Sequence, residues 1–307
     1  MQPVHTIAFI HPANVGIMAP AASTPGQSSG HRGRVPFRMF DYHVHTTQSA
    51  DCETPIFDSC EAAIRAGVTE IAFTDHIEYE PSDMSYGFYD YDTYMRDLEL
   101  ARVRYGDRLT ILAGAEVGFN TRLMPEIEDF LGKHEFDFII GSVHHSPDGV
   151  IIFPEYFDER SVIDVMKMYL GQLQAAADTG WFDTIGHLDL PKRYAPHHAG
   201  AYDPLACEPE LRSLLQTIID KRISFEINTS GLRQAPKTSM PSAQIVRLYV
   251  EMGGALVTVG SDSHVADTIG AGLDRTIDML QLNGIHGVSS FRRRERTTVL
   301  FSSLHRS

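Results

Sequence analysis

From Arg38 onward, short runs of β-branched and aromatic residues alternate with longer segments of helical character. Seven such units follow one another, which is typical of βα repeats that build a mainly parallel sheet. The predicted strands are Met39–His45, Glu70–His76, Leu109–Val117, Phe136–His144, Phe182–His187, Ser224–Asn228 and Leu256–Ser261. The segments with the clearest helical spacing of apolar residues are Pro55–Ala66, Met124–Lys133, Ser161–Asp178, Glu208–Lys221 and Pro241–Met252.

Seven consecutive parallel units fit a closed or nearly closed barrel, in which functional groups gather at the carboxyl ends of the strands. A doubly wound open sheet would need a phosphate-binding glycine turn after its first strand, and none follows it here. No linker-like tract interrupts residues 38–303, so the sequence predicts one α/β domain over this range. Residues 1–37 are rich in Ala, Ser, Pro and Gly and are predicted to be a disordered N-terminal extension.

Charge and cysteine content restrict the partners and the compartment. The net charge of -14 argues against a nucleic-acid partner, which normally needs clustered Lys and Arg. Cys52, Cys60 and Cys207 form no CxxC pair, which favours neither a thiolate zinc site nor a disulfide framework and indicates a reducing cytoplasm. No apolar run has the length of a membrane span. The sequence leaves the oligomeric state open.

Each predicted strand ends in a residue that can bind a metal ion. In the His43-x-His45 and Asp262-x-His264 pairs, a spacing of two places both side chains on one face of an extended strand. Other strand ends contribute His76, Glu116, His144 and His187. Burying so many ionisable groups without a cation would be costly, and nitrogen and oxygen ligands suit Zn²⁺, Mn²⁺ or Fe. The residues therefore predict a metal-dependent hydrolase.

The neighbouring polar residues could also have structural roles that involve no metal ion. A single histidine at a strand end is more often hydrogen-bonded than metal-bound, and His145 lacks the support of a paired motif. Glu226 could be a satisfied carboxylate at the end of a strand. Asp41, Asp75 and Asp189 are predicted to fix the orientation of the imidazoles.

Seven motifs extend this pattern over residues 40–272. They are DYHVHT, TDH at 74–76, GAE at 114–116, GSVH at 141–144, GHLDLPKRY at 186–194, EINTSGLR at 226–233 and GSDSH at 260–264. In these motifs the chain resembles the PHP (polymerase and histidinol phosphatase) superfamily. Within it, GHLDLPKRY and EINTSGLR resemble the histidinol-phosphate phosphatases. The resemblance implies a distorted (β/α)₇ barrel that carries two to three divalent transition-metal ions, Zn, Mn or Fe.

The resemblance also implies a distribution of ligands. One ion is expected on His43, His45, Glu116 and Asp262, a second on Glu116, His144 and His187, and a third on Asp51, His76 and His264. Hydroxide held between two ions would attack phosphorus in line, and Asp262 or His264 would pass a proton to the leaving group. Glu116, Asp262 and His264 are therefore the predicted catalytic residues.

A phosphate group also needs fixed positive charge. Arg160, Arg193 and Lys192 are the predicted substrate-binding residues, and the acidic loop Glu78–Asp92 either meets a cationic amine or stays solvated. The resemblance implies hydrolysis of the small phosphomonoester L-histidinol phosphate to L-histidinol and phosphate, in histidine biosynthesis. One alternative is a PHP-type phosphatase or phosphodiesterase for a different small phosphoester. Another is a non-catalytic or proofreading module of a polymerase.

Overall fold

A computed structural model describes residues 39–195 and 203–303, so the predicted extension over residues 1–37 lies outside the described residues. Seven parallel strands follow one another around the sheet in the order of the chain. They are β1 (Met39–Val44), β2 (Val68–Phe73), β4 (Thr110–Gly118), β5 (Phe138–Ser142), β6 (Thr184–Ile185), β7 (Ser224–Asn228) and β8 (Val257–Gly260). A short strand β3 (His76–Ile77) pairs separately with β4. The predicted parallel barrel is confirmed.

The first and last strands of the barrel meet at their carboxyl ends. Asp262 N donates a hydrogen bond to His43 O at 2.7 Å, and His45 N donates to Ser263 O at 2.9 Å. The segment after β8 thereby continues the ladder along the end of β1. This closure brings the two histidines of the first motif next to the aspartate of the last one.

Helices connect the strands, and five of them lie in the segments that the spacing of apolar residues predicts. They are α1 (Ile56–Ala66), α2 (Tyr91–Tyr105), α3 (Met124–Lys133), α4 (Val162–Thr179), α5 (Glu208–Asp220), α6 (Ser230–Arg233), α7 (Ala243–Glu251) and α8 (Leu273–Leu282). The longest, α4, begins where the Ser161 side chain accepts a hydrogen bond from Asp164 N and ends at Gly180, which has a positive φ. Its buried face includes Leu170 and Leu173.

The second predicted strand, Glu70–His76, is wrong at its carboxyl end. Strand β2 stops at Phe73, and Thr74 N then donates to Val44 O, which turns the chain toward β1. His76 starts β3 instead and pairs with Glu116 of β4. The break in the strand places this histidine beside the glutamate at the centre of the cluster.

An antiparallel hairpin follows the barrel and was not predicted. It consists of β9 (Gly287–Arg292) and β10 (Glu295–Leu300). Arg292 Nη2 donates to Glu70 Oε2 at 2.8 Å, and Arg294 Nε donates to Asp183 Oδ2 at 2.7 Å. Because Glu70 and Asp183 lie near the amino ends of their strands, the hairpin covers the end of the barrel opposite the metal-ligand motifs.

Candidate metal centre

The carboxylate of Glu116, in β4, lies at the centre of the histidine cluster and is 1% exposed. Its Oε2 atom lies 3.2 Å from His43 Nε2 and 3.5 Å from His45 Nε2. Asp262 Oδ1 lies 3.8 and 3.6 Å from the same two nitrogen atoms. The structure thus brings together the residues predicted for the first ion, and their ion binding stays a prediction.

The other oxygen of Glu116 faces a second group of imidazoles. Glu116 Oε1 lies 2.9 Å from His187 Nε2 and 3.4 Å from His144 Nε2. The two imidazole nitrogens are themselves 3.4 Å apart. A single carboxylate therefore faces both predicted ligand groups, one with each oxygen, which is the geometry that a bridging ligand requires.

The third predicted ligand set lies nearest to solvent. Asp51 Oδ2 is 3.2 Å from His264 Nε2 and 3.7 Å from His76 Nε2, and the Asp51 side chain is 39% exposed. The rings of His45 and His264 stack with their centroids 4.0 Å apart, which joins this set to the first one. Because Asp51 is half-exposed, we expect an ion at this set to exchange with solvent more readily than one beside Glu116.

Several donor atoms in the cluster lack a hydrogen bond. Within the described part of the chain, this holds for the buried atoms His43 Nε2, His45 Nε2, His76 Nδ1 and Glu116 Oε2. A buried polar atom left without a partner costs about 1–3 kcal/mol. Imidazole nitrogens and carboxylate oxygens that converge without hydrogen bonds suit divalent transition-metal ions. The residues present therefore fit the predicted metal centre.

Charge within the cluster shifts the pKa values of its members in opposite directions. Burial lowers the pKa of His43, but Glu116, Glu226 and Asp262 outweigh burial and raise it well above its usual range. Burial raises the pKa of Glu116, but the surrounding imidazoles outweigh it and lower the pKa well below its usual range. Burial itself, together with His264 and His76, holds the pKa of His45 low. Protons therefore balance part of the negative charge that bound cations would neutralise.

Three residues fix the imidazoles from behind. Glu226 Oε1 lies 2.6 Å from His43 Nδ1, and Glu78 Oε1 lies 2.5 Å from His144 Nδ1. The third contact is between Tyr169 OH and His187 Nδ1, at 3.2 Å. Each contact leaves Nε2 of the ring turned toward Glu116, as expected for a metal ligand oriented by an outer hydrogen bond. The sequence did not predict that Glu226, Glu78 or Tyr169 would orient an imidazole.

The aspartates predicted to orient the imidazoles act otherwise. Among the hydrogen bonds of the described residues, Asp75 reaches an imidazole through Ser49, whose Oγ lies 2.7 Å from Asp75 Oδ1 and 3.1 Å from His45 Nδ1. The prediction is wrong for Asp41, which accepts hydrogen bonds from the backbone N of Ser261 and Gly270. These bonds hold the segment after β8 in place.

The remaining aspartate, Asp189, pairs with a residue that was predicted to bind substrate. Asp189 Oδ2 accepts a hydrogen bond from Lys192 Nζ at 2.8 Å, and Lys192 Nζ also donates to Ser239 O at 2.6 Å. Lys192 is 5% exposed and is not among the described residues that line the cavity over the ligand cluster. The predicted imidazole role of Asp189 and the predicted substrate role of Lys192 are therefore wrong, because the two side chains pair with each other away from the cavity.

The two predicted arginines are placed differently from each other. Arg193 lines the cavity, and its Nη2 donates to Asp262 Oδ2 at 2.9 Å and to Ser230 Oγ at 2.7 Å. Arg160 is not among the described cavity residues, because its guanidinium lies 4.2 Å from the ring centroid of Tyr156 and donates to Tyr156 O. Arg193 therefore lies at the cavity and Arg160 does not, and the contact of either arginine with phosphate stays a prediction.

The backbone around Asp262 has little freedom. Asp262 adopts a φ of 52°, a left-handed conformation that aspartate tolerates better than most side chains. At Gly260, a Cβ atom would lie 2.3 Å from His43 Cβ and 3.0 Å from Glu226 Oε1. Glycine at this position lets β8 approach β1 closely enough for Asp262 to reach the histidines.

The parallel barrel and the cluster of histidines and carboxylates at its carboxyl end define a barrel protein with a candidate multinuclear metal centre. The family model described as PHP domain matches residues 41–230. The chain belongs to the PHP domain family.

Curated relatives match along nearly their whole length. A histidinol-phosphatase from Lactococcus lactis is 27% identical over 256 residues, covering 83% of this chain and 94% of the relative. A "Probable histidinol-phosphatase" from Clostridium acetobutylicum is 28% identical over 247 residues, covering 79% and 93%. Each match covers a smaller share of this chain than of the relative.

A solved structure supports the fold. The crystal structure of the histidinol phosphate phosphatase from Lactococcus lactis, complexed with zinc, L-histidinol and phosphate, superimposes with a TM-score of 0.78. It is 24% identical in sequence, and the match covers 84% of this chain and 98% of that one. Within residues 39–195 and 203–303, none of the helices combines the length and hydropathy of a membrane span.

Proposed function

We propose that this chain is a metal-dependent phosphomonoesterase that hydrolyses L-histidinol phosphate to L-histidinol and phosphate. The observation that carries the proposal is the position of Glu116, whose two oxygens face separate groups of imidazoles at one end of the barrel. The choice of substrate is supported by the histidinol-phosphatases among its relatives, one of which it matches over 94% of that relative's length. The zinc, histidinol and phosphate bound to the structural neighbour are consistent with this choice.

Two to three Zn, Mn or Fe ions would be held by the three ligand sets around Glu116, Asp262 and Asp51. Divalent ions there would supply Lewis-acid activation of water and would neutralise charge on the phosphoryl oxygens. The protein's own contribution is to hold the ligands in place, because Glu226 and Glu78 fix the rings of His43 and His144. A rigid set of ligands needs little reorganisation during the reaction.

Arg193 is the proposed phosphate ligand. Its pairing with Asp262 and Ser230 directs the guanidinium into the cavity, and its buried Nε has no hydrogen bond among the described residues. A guanidinium carries five N–H donors, so Arg193 can keep both contacts and still donate to phosphoryl oxygens. Arg160 is a second candidate if its guanidinium leaves Tyr156 when substrate binds.

Departure of the alcohol requires a proton at the leaving oxygen. We assign its delivery to His264 or Asp262, because His264 Nδ1 lies 3.7 Å from Asp262 Oδ1 and the His264 side chain is 28% exposed. A group placed between the ligand cluster and solvent can give up a proton and regain it from water. Glu116, by contrast, is enclosed by imidazoles and would be the ligand shared by two ions.

The charge and the cysteines of the chain bear on its partners and its compartment. We propose a small-molecule substrate, no nucleic-acid partner and a cytoplasmic location. The net charge of -14 supports the absence of a nucleic-acid partner. The buried, unpaired cysteines Cys52, Cys60 and Cys207 are consistent with a reducing compartment.

A screen of phosphate release tests this function. Protein loaded with Zn²⁺ or Mn²⁺ is incubated with histidinol phosphate, sugar phosphates, nucleotides and a phosphodiester. We expect kcat/KM for histidinol phosphate to exceed that of every other ester by at least about tenfold. Equal or reversed rates would mean that another small phosphoester is the substrate, and cleavage of oligonucleotides would support a polymerase-type module instead.

A further inference from the structure

The cavity above the ligand cluster has walls of different chemical character. One side carries Arg193 and the metal-ligand residues. Another side is formed by the turn after β3, from which Glu78, Asp83, Met84 and Ser85 line the cavity. Asp83 therefore places a carboxylate in the same cavity as Arg193, the proposed phosphate ligand, but on a separate segment of the chain.

Most carboxylates that line this cavity already have a cationic or metal-binding partner. Asp262 accepts a hydrogen bond from Arg193, and Asp51 lies between the imidazoles of two predicted ligands. Glu78 is held by His144 through Oε1. Asp83 is paired with a histidine that belongs to none of the predicted ligand sets, and its Oδ1 also accepts the backbone N–H of Ser85, at 2.7 Å.

The remaining oxygen of Asp83 faces a histidine outside the predicted ligand sets. Asp83 Oδ2 lies 3.2 Å from His145 Nε2, and His145 is 3% exposed. A carboxylate oxygen has two lone-pair sites, so this contact leaves Asp83 able to accept a further hydrogen bond from the cavity. Burial raises the pKa of Asp83, but the contacts with His145 and Ser85 outweigh it and keep the carboxylate ionised at neutral pH.

The turn that carries Asp83 is held in place by neighbouring segments. Arg122 Nη2 donates to Glu80 Oε2 at 2.6 Å, and Ser82 Oγ donates to Gly149 O at 3.3 Å. The Asp83 side chain in this turn is 9% exposed. A partly desolvated, fixed carboxylate discriminates for a cation more strongly than one on a solvated loop.

We propose that Asp83 is a specificity-determining residue that binds the ammonium group of an amino-alcohol phosphate while Arg193 binds its phosphate. This inference rests on the proposed function and names the part of the substrate that the cavity selects. In histidinol phosphate the amine lies two carbons from the ester oxygen, so both charged ends can enter one cavity. Asp83 takes no part in the bond-breaking step and acts only in binding.

The test compares two esters that differ only in the amine. They are L-histidinol phosphate and the phosphate ester of 3-(imidazol-4-yl)propan-1-ol. Wild-type protein should hydrolyse the amino ester with a kcat/KM about 10- to 100-fold higher, the range expected for a charge-assisted hydrogen bond. In Asp83→Asn this ratio should fall to near one, mainly through a higher KM for the amino ester. Asp92→Asn, an exposed change of the same charge, should keep the wild-type ratio.

The failures of the test are distinguishable. If wild-type protein hydrolysed neither ester, the proposed function itself would be wrong. If wild-type protein hydrolysed the two esters at equal rates, the amine would not be recognised, and the proposed role of Asp83 would be wrong. A ratio unchanged in folded Asp83→Asn would also contradict that role. So would the loss of one bound metal ion in that variant, because Glu78, Asp83 and His145 would then be a cation site.

Discussion

Glu226 Oε1 lies 2.6 Å from His43 Nδ1, at the base of the ligand cluster. The other oxygen of Glu226 accepts a hydrogen bond from His187 N, also at 2.6 Å. One buried carboxylate in β7 therefore positions ligands that come from β1 and from the end of β6. The geometry around Glu116 depends on a residue that is not itself in any of the predicted ligand sets.

Glu226→Gln should weaken the metal centre without removing a ligand. The amide keeps the shape of the side chain but loses the charge that supports the His43 ring. We expect metal affinity and kcat/KM to fall about 10- to 100-fold, the usual effect of removing such an outer contact. Metal titration of the chelated protein, followed by phosphate-release assays, measures both. The exposed control Glu251→Gln should match wild type, and a Glu226→Gln protein that does so as well would remove Glu226 from the site.

Gly260→Ala should damage the same centre through sterics alone. The added Cβ would meet His43 Cβ at 2.3 Å, so either β1 or β8 must shift. We expect a loss of about 1–3 kcal/mol in the free energy of unfolding and reduced metal content. Urea unfolding and metal analysis test this. The control Gly171→Ala, in α4, meets no atom within 4 Å and should leave metal content unchanged.

Arg193→Lys should act mainly on substrate binding. Lysine carries one compact charge and cannot hold Asp262, Ser230 and a phosphoryl group together as the guanidinium can. KM and the inhibition constant of inorganic phosphate should each rise about 10- to 100-fold, with a smaller change in kcat. Steady-state kinetics with phosphate as inhibitor provides the measurement. Unaltered inhibition by phosphate would show that Arg193 does not contact the phosphate group.

Asp183 should give a pH-dependent contribution to stability, at the end of the barrel away from the metal ligands. Burial raises its pKa to about 6, although Arg294 and Ile139 N lower it. The folded state therefore binds this proton more tightly than the unfolded state, and stability from this group falls as pH rises from about 4 to about 6. Asp183→Asn removes the titrating group. The free energy of unfolding of this variant, relative to that of wild type, should therefore rise by about 1–3 kcal/mol between pH 4 and pH 6. Urea unfolding of both proteins at several pH values checks this, and a difference independent of pH would contradict it.

The candidate ligands could be predicted because strand geometry makes their spacing informative. A separation of two residues in His43-x-His45 places both rings on one face, and the carboxyl ends of parallel strands bring Glu116 and Asp262 to them. The orienting residues carry no such signal. Glu226 ends a strand like many satisfied carboxylates, and Glu78 lies in a turn whose path depends on tertiary contacts.

The hairpin and the position of Lys192 also depend on tertiary contacts that the sequence pattern does not reveal. Strands β9 and β10 lie after the last βα unit, and their place follows from ion pairs with Glu70 and Asp183, far away in sequence. Lys192 belongs to a motif rich in charge, but its partner Asp189 lies three residues earlier and draws the ammonium into the protein. Spacing alone does not tell which of two neighbouring cations faces the cavity.

Removal and return of metal tests the central claim most directly. Protein treated with a chelator until no transition metal remains is assayed for phosphate release from histidinol phosphate, and Zn²⁺ or Mn²⁺ is then added back. The metal-centre account predicts no measurable release without metal, and recovery as two to three ions bind per chain. Full activity in the metal-free protein would contradict it.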